Sequence, residues 1–360
     1  MDRIARLARE LQESGIDAYM AQTPISMGYL HGFYESGHER FMSLAVSAAG
    51  ETRLICPALS ATQAKRAGIR DMRPWRDGED PLALFAQLAE DWNLRSGIVA
   101  VDDEMPAQMV LKMQGVLPAA LFKPGQEVIS KLMRSKDAGE LELMRRAARI
   151  ADDAFLDVLG YLRPGLTEDE VSQFLSDAMR KRGGTPSFAI VATGPGGAEP
   201  HHINGESRLE EGHVLILDFG CGVGGYQSDI TRTVAIGSAS EEAKHVYRTV
   251  HAAHQAGRSA VRPGVAAQDV DAAARRVIED AGMGELFFHR LGHGIGMRGH
   301  EEPYIIAGNT EALRVGECFS VEPGVYRAGE FGVRIENIVT VTEDGHESLN
   351  DDPEPELRVV

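Results

Sequence analysis

Four acidic residues and one histidine in the C-terminal half of this 360-residue chain stand in short, Gly-flanked, strand-like segments. Carboxylate oxygens and an imidazole nitrogen, without a thiolate, form a hard ligand set that favours Mn²⁺, Co²⁺ or Fe²⁺ and accepts Zn²⁺. A lone acidic residue on a strand is usually a solvated surface group, but five such residues in these motifs predict a metal site. They are Asp218, Asp229, His293, Glu322 and Glu336.

An internal repeat in the second two-thirds of the chain relates these acids to one another. The segment Leu162–Gly183 matches Val261–Gly282, and their Arg-Pro-Gly motifs are offset by 99 residues (262 − 163). Each copy follows a helical segment and precedes strand-like segments, so two similar halves contribute equivalent acids to one site. The equivalent pairs are Asp218 with Glu322, each two residues before a glycine, and Asp229 with Glu336, each four residues before Thr-Val.

The charge of this ligand set indicates how many ions it holds. Four buried carboxylates would repel one another and take up protons. Two dications supply a charge of +4 against −4, so the set is balanced by two divalent ions.

The order of these motifs along the chain and the residues within them resemble those of the pita-bread metallopeptidases. This is the family of Xaa-Pro dipeptidase (prolidase), aminopeptidase P and methionine aminopeptidase. The resemblance covers nearly the whole chain. It implies an α/β N-terminal domain, residues 1–128, and an α+β pita-bread catalytic domain, residues 129–360, with an internal pseudo-twofold repeat. The segments that carry it are Ile216–Gly220, Ser228–Thr233, Gly292–Gly296, Val321–Gly324 and Val333–Asn337.

The resemblance also implies roles for the five ligands. Asp229 and Glu336 would bridge both ions, Asp218 would complete one site, and His293 with Glu322 would complete the other. Two ions held in this way lower the pKa of a water between them and polarise a carbonyl, which predicts amide hydrolysis.

Three further residues are expected to act beside the metals. His201 and His300 match family histidines that move protons and stabilise the tetrahedral intermediate, although a hydrogen-bonded histidine in a turn is the alternative for both. Arg334 shares a strand face with Glu336 and is expected to orient the ligands, as Thr231 is beside Asp229. Structural roles are expected for His202, His213 and His289.

The activity that the resemblance implies is that of an Xaa-Pro dipeptidase acting on small peptides with proline at the second position. Aminopeptidase P activity on longer peptides is the first alternative, and a metal-dependent lyase is the second. Arg298 or Arg327 is expected to bind the free carboxylate of a dipeptide, with Arg290 as a third candidate. Tyr304 stands where some prolidases carry an arginine, and the anchoring insertion of others is absent, which leaves this anchor open.

Composition bounds the partners and the compartment. A net charge of −17 argues against binding to nucleic acid or to an anionic membrane. The first fifteen residues carry charges in place of an apolar signal core, and no run of about 18 apolar residues occurs, so no membrane span is expected. Three cysteines without a CxxC pair fit a reducing cytoplasm. By resemblance, the protein is expected to be a homodimer.

The elements that position these residues are also readable from the sequence. The first third predicts a small α/β domain, with a helix over Ile4–Gln12 and strands over Asp17–Ala21, Met42–Ala48 and Thr52–Cys56. A long helix is predicted after an N-cap at Ser135. Its apolar stripe comprises Met144, Ala147, Ala151, Ala154 and Val158, and its polar face comprises Glu142, Arg145, Arg149 and Asp152.

Overall fold

The computed structural model describes residues 2–360, which divide into two compact units, 2–133 and 134–360. This division and the expected one after residue 128 both fall within one helix, Gln126–Arg134, so the residue at which the domains divide stays a prediction. No helix among residues 2–360 is both long and apolar enough to span a membrane. The three cysteines are buried and unpaired with one another.

The first unit is an α/β domain, and the helix and three strands predicted from its sequence are confirmed. Its helices are α1 (Arg3–Glu13), α2 (Pro24–His31), α3 (Ala61–Arg66), α4 (Pro81–Asp91), α5 (Ala107–Val116) and α6 (Gln126–Arg134). Its strands are β1 (Ala18–Ala21), β2 (Ser43–Ser47), β3 (Thr52–Pro57), β4 (Met72–Trp75), β5 (Ile98–Val101) and β6 (Leu121–Pro124).

These six strands form one mixed sheet in the order β4-β3-β2-β1-β5-β6. Strands β1, β2 and β3 pair antiparallel, and the outer strands join them in parallel. Residues of α4 and α5, including Phe85, Leu88 and Met113, form a core with Val99 of β5. Apolar side chains at these positions are the main source of this unit's stability.

A buried carboxylate joins the end of β5 to the start of α2. Asp102, whose exposed fraction is 2%, accepts hydrogen bonds from the backbone N–H groups of Gln22 and Thr23 at 2.6 and 2.8 Å. It also accepts from the hydroxyls of Ser26, at 2.8 Å, and Tyr19. One side chain therefore accepts from four donors, one on β1 and three in the segment that begins α2.

Replacing Asp102 with alanine is expected to lower the free energy of unfolding by about 2 to 4 kcal/mol, because buried donors lose their acceptor. Urea unfolding measures this loss. The control is Asp77→Ala, which removes an exposed ion pair with Arg40 and is expected to cost less than about 1 kcal/mol. Equal losses in the two variants would contradict the role of Asp102.

The second unit contains four long helices within the described residues 134–360, together with the remaining strands. The helices are α7 (Ala138–Leu159), α8 (Glu168–Lys181), α9 (Glu241–Ala260) and α10 (Ala267–Asp280). The strands are β7 (Thr185–Thr193), β8 (Val214–Val223), β9 (Tyr226–Gln227), β10 (Ile230–Ala235), β11 (Gly292–Gly294), β12 (Glu301–Ile305), β13 (Cys318–Val321), β14 (Gly324–Arg327), β15 (Phe331–Arg334), β16 (Asn337–Val341), β17 (His346–Ser348) and β18 (Arg358–Val359).

The internal repeat is visible in the order of these elements. In each half a helix pair is joined through an Arg-Pro-Gly turn, α7 to α8 and α9 to α10, and strands follow. The strands of the first half form a sheet with the last strand of the chain, in the order β18-β10-β8-β7, and those of the second form the order β12-β11-β13-β16-β17. One isolated antiparallel bridge, Thr231 to Glu336, joins strand residues of the two halves.

The long helix α7 follows the predicted stripe but not the predicted cap. All five stripe residues are buried, as expected. The N-cap is Asp137 rather than Ser135, because Asp137 and Glu140 form a reciprocal capping box. Asp152, assigned to the polar face, is also buried, because its carboxylate accepts the backbone N–H of Asp351 at 3.0 Å.

Candidate metal centre

Each candidate carboxylate lies on or beside a strand of the second unit. Asp218 lies in the middle of β8, and Asp229 lies immediately before β10. Glu322 follows β13 directly, and Glu336 lies immediately before β16. The repeat therefore places Asp229 and Glu336 at equivalent positions, whereas Asp218 lies within its strand and Glu322 lies just after one.

Three of the five residues form a close cluster. Asp229, His293 and Glu336 are buried, and each offers a ligand atom within 4.8 Å of the other two. Glu322 adjoins this cluster, since its Oε1 lies 3.3 Å from His293 Nε2. Asp218 lines the same cavity of about 820 Å³. All five side chains thus face one cavity.

The backbone around His293 requires glycine. A Cβ at Gly292 would lie 1.8 Å from the Ser320 carbonyl oxygen, and one at Gly294 would lie 2.3 Å from the Glu302 backbone. These glycines let β11 approach β12 and β13. His293 Nδ1 then contacts its neighbour's carbonyl at 3.1 Å, which leaves Nε2 for the carboxylates.

The electrostatics of the cluster fit divalent cations. Burial raises the pKa of Asp229 and of Glu336 well above the ordinary value, and nearby carboxylates raise both further. Asp229 Oδ1 and Glu336 Oε1 are buried and accept no hydrogen bond within the described chain. Burial lowers the pKa of His293 to about 4, so its imidazole is neutral near pH 7, as a metal ligand must be. Bound dications would supply positive charge that offsets the repulsion among these carboxylates.

Hydrogen bonds to the candidate ligands connect the two halves. Arg334 Nη2 donates to Asp218 Oδ2 at 2.6 Å, and Nε donates to Thr231 Oγ1 at 3.2 Å. Thr231 Oγ1 in turn donates to Glu336 Oε2 at 2.7 Å. Each half therefore supplies a group that holds a carboxylate of the other half.

Two polar contacts at the centre were not anticipated from the sequence. Ser320 Oγ donates to Glu322 Oε1 at 2.9 Å and accepts the His293 N–H at 3.0 Å, which ties two candidate ligands together. Tyr326 O–H contacts His289 Nε2 at 3.0 Å and accepts from Arg334 at 2.9 Å. The alternation Ser320, Glu322 along one strand face was the available signal for the first contact.

The histidines occupy different positions. His201 and His300 both line the cavity, and the rings of His300 and His293 stack with centroids 3.7 Å apart. Burial lowers the pKa of His300 to about 4, with a smaller effect from His293. His202 instead contacts the buried carboxylate of Glu168 at 2.9 Å, in keeping with the structural role expected for it. His289, also expected to be structural, lines the cavity.

An apolar wall completes the cavity. Ile190 of β7 lies directly opposite Asp218 in the sheet, so both side chains share a face. Phe188, two residues earlier, lines the cavity with it, as do Phe288 and Ile306. The carboxylate cluster therefore lies beside a hydrophobic surface.

Comparison with known proteins agrees with this architecture. Residues 142–343 match the model of Metallopeptidase family M24, and residues 3–134 match that of the Creatinase/Prolidase N-terminal domain. A protein of Mycobacterium tuberculosis named probable dipeptidase PepE is 37% identical over 367 residues, which cover 99% of this chain and 96% of the relative.

Two solved structures extend the comparison. The structure of a prolidase from Thermococcus sibiricus has a TM-score of 0.94 at 34% identity and covers 99% of this chain and 98% of the other. That of an X-Pro aminopeptidase from Thermotoga maritima has a TM-score of 0.88 at 32% identity and covers 100% of both chains. The expected fold class, an α/β domain followed by a pita-bread domain, is confirmed. The chain belongs to metallopeptidase family M24.

Proposed function

We propose that this chain hydrolyses the peptide bond before proline in small peptides, as an Xaa-Pro dipeptidase (prolidase). The observation that carries the proposal is the cluster of Asp229, His293 and Glu336 beside an apolar wall in one cavity. The relatives named dipeptidase and prolidase support it. Proline suits such a wall, because its ring is apolar and its nitrogen carries no N–H for ordinary backbone recognition.

We propose two divalent ions per chain, with Mn²⁺ or Co²⁺ as the first candidates and Zn²⁺ or Fe²⁺ also compatible with the ligands. Asp229 and Glu336 would bridge the ions, Asp218 would complete one site, and His293 with Glu322 would complete the other. When bound, the ions supply Lewis acidity for the scissile carbonyl and lower the pKa of an attacking water.

In this proposal the chain's own residues position the ligands, transfer a proton, stabilise developing charge and exclude water. Arg334 and Thr231 hold the carboxylates of Asp218 and Glu336 in place. His300, whose imidazole is neutral near pH 7, takes a proton from the attacking water and gives it to the proline nitrogen as it leaves. His201 stabilises the carbonyl oxygen as charge develops. The wall of Phe188 and Ile190 excludes water from the proline ring.

The proposal is tested by removing metal with a chelator, reloading the protein with each of the four metals, and assaying Met-Pro and longer Xaa-Pro peptides. We expect two ions per chain by elemental analysis and turnover of Met-Pro. A protein that binds divalent ions but cleaves no Xaa-Pro bond in any metal form would refute the activity. We also propose a cytoplasmic homodimer, for which light scattering is the test of the oligomer.

The choice between dipeptidase and aminopeptidase P depends on what binds the substrate carboxylate. Arg298 and Arg327, the candidates preferred from sequence, are not among the described residues that line the cavity, and Arg327 is paired with Glu242 and Glu330. Arg290 does line it. Its guanidinium lies 4.5 Å from the Tyr304 ring centroid and 3.3 Å from His300 Nδ1. The geometry therefore favours Arg290 as the anchor.

Replacing Arg290 with methionine is expected to lower kcat/KM for Met-Pro about 10- to 150-fold, because one charge-assisted bond is worth roughly 1.5 to 3 kcal/mol. Amidating the substrate carboxylate should cost the wild-type enzyme a similar factor and the variant little. Steady-state kinetics on Met-Pro, its amide and Met-Pro-Gly measure this cycle, with Arg327→Met as the control.

Two outcomes would count against this assignment. Equal or better turnover of the amide and the tripeptide by the wild-type enzyme would favour aminopeptidase P, the activity named for the Thermotoga maritima structure. An amide penalty that persists in the Arg290 variant would place the carboxylate on another group.

A further inference from the structure

Arg232 lies behind the candidate metal centre, on the opposite face of β10 from Thr231. Its exposed fraction is 5%. Nη1 donates to the backbone carbonyl of Glu336 at 2.6 Å and to that of Thr231 at 3.0 Å. Nη2 donates to the carbonyl of Asp351 at 2.6 Å. One guanidinium thus binds three backbone carbonyls, including that of a candidate ligand.

Two of these carbonyls belong to the junction between the repeat halves. Thr231 and Glu336 form the isolated antiparallel bridge that joins β10 to the segment before β16, with Glu336 N–H donating to the Thr231 carbonyl at 3.1 Å. The Thr231 hydroxyl also holds the Glu336 carboxylate. The guanidinium adds two charge-assisted bonds at this junction, where Thr233 Oγ1 also bonds to the Arg334 carbonyl, and it thereby holds the Glu336 backbone against β10.

The repeat shows that the strand itself does not require an arginine here. Asp229 and Glu336 are equivalent, so the residue three positions after each is equivalent too, and these are Arg232 and Val339. Val339 is fully buried in an apolar core. Taking a guanidinium out of water is costly, and a valine fills the same strand position in the other half. The cost of burying Arg232 is therefore offset by what it binds.

Further polar contacts, with Asp351 and Asp152, fix the position of Arg232. The backbone N–H of Asp351, whose carbonyl accepts from Arg232, donates to Asp152 Oδ2 at 3.0 Å. Asp152 Oδ1 lies 4.0 Å from Arg232 Nη2. A continuous path of polar contacts thus links α7, through Asp351 and Arg232, to the backbone of Glu336.

We propose that Arg232 is a positioning residue that sets the metal affinity of the centre by fixing the backbone of Glu336 against β10. The inference rests on the proposed function, since it takes Glu336 as a ligand. Arg232 lines a separate cavity of about 150 Å³ on the back of the sheet and not the cavity of the carboxylate cluster. Its effect therefore reaches the ions through the ligand and does not involve the substrate.

The test is a titration of metal-free protein with Co²⁺. Calorimetry measures the affinity, and visible absorption reports the environment of the bound ion. Arg232→Lys keeps the charge but loses the planar fork, and Arg232→Gln loses the charge. We expect Co²⁺ affinity about 10- to 100-fold weaker in both variants, as for other groups that orient ligands. The absorption spectrum should change, and KM for Met-Pro at saturating Co²⁺ should not.

The matched control is Tyr247→Phe, which removes a 2.8 Å hydrogen bond to the Glu354 carbonyl in the same back cavity. It should leave Co²⁺ affinity and spectrum unchanged. Unchanged affinity and spectrum in Arg232→Lys would overturn the inference. So would the loss of cooperative unfolding in both Arg232 variants without metal, which would assign Arg232 to the fold. A wild-type protein that binds no Co²⁺ would instead refute the proposed function.

Discussion

Replacing Glu336 with alanine is expected to remove metal binding and peptide hydrolysis together, lowering kcat/KM at least about 10³-fold. Metal ions contribute several kcal/mol to such a reaction, and each 1.36 kcal/mol is tenfold in rate. Glu336 is 2% exposed and belongs to the closest cluster of candidate ligand atoms, and as a bridging ligand it would hold both ions. Elemental analysis and kinetics on the same preparation measure the two losses.

The comparison variant for Glu336→Ala is His202→Ala. His202 contacts Glu168, which also accepts the backbone N–H groups of Thr193 and Gly205. Its loss should lower thermal stability while most of the activity per bound metal remains. If the His202 variant lost more activity than the Glu336 variant, His202 rather than His201 would be the histidine on the substrate side.

The repeat explains why so much of the centre could be predicted from sequence. Equivalent acids recur at equivalent distances from Gly and Thr-Val landmarks, and the structure places Asp229 and Glu336 alike, each immediately before a strand. The glycines beside His293 are part of the motif in the sequence, and the structure shows why they are needed. β11 packs too closely against its neighbours for a Cβ. Local spacing was sufficient in both cases. The ligand roles themselves stay predictions until metal is bound and located.

Contacts that depend on chain folding were not predictable in this way. Arg334 was expected to orient the ligands, but the sequence could not show that the carboxylate it contacts is that of Asp218, 116 residues away. Spacing shows which face a side chain occupies but not which strand lies opposite. Arg290 was ranked below Arg298 and Arg327 for the same reason, since nearness in sequence to a ligand motif does not place a side chain in the cavity.

The N-cap of α7 was predicted wrongly, and the reason is different. Ser135 and Asp137 are both good N-cap residues, and only the partner three residues later distinguishes them. Glu140 completes the box with Asp137. The burial of Asp152 depends on Asp351, which is 199 residues away and joins α7 to the segment that supports Arg232.

Replacing His300 with alanine is expected to lower kcat for Met-Pro about 10²- to 10⁴-fold, the usual contribution of a positioned proton donor, while both ions stay bound. The ring stacks on His293 but is not one of the clustered ligand atoms, so the metals should not depend on it. Elemental analysis and steady-state kinetics separate these effects, and added imidazole should restore part of the rate.

His213→Ala is the control for the His300 variant, because His213 contacts Thr193 and does not line the cavity. Loss of metal from the His300 variant would show that it acts by supporting His293, and full activity would remove it from the proton transfer.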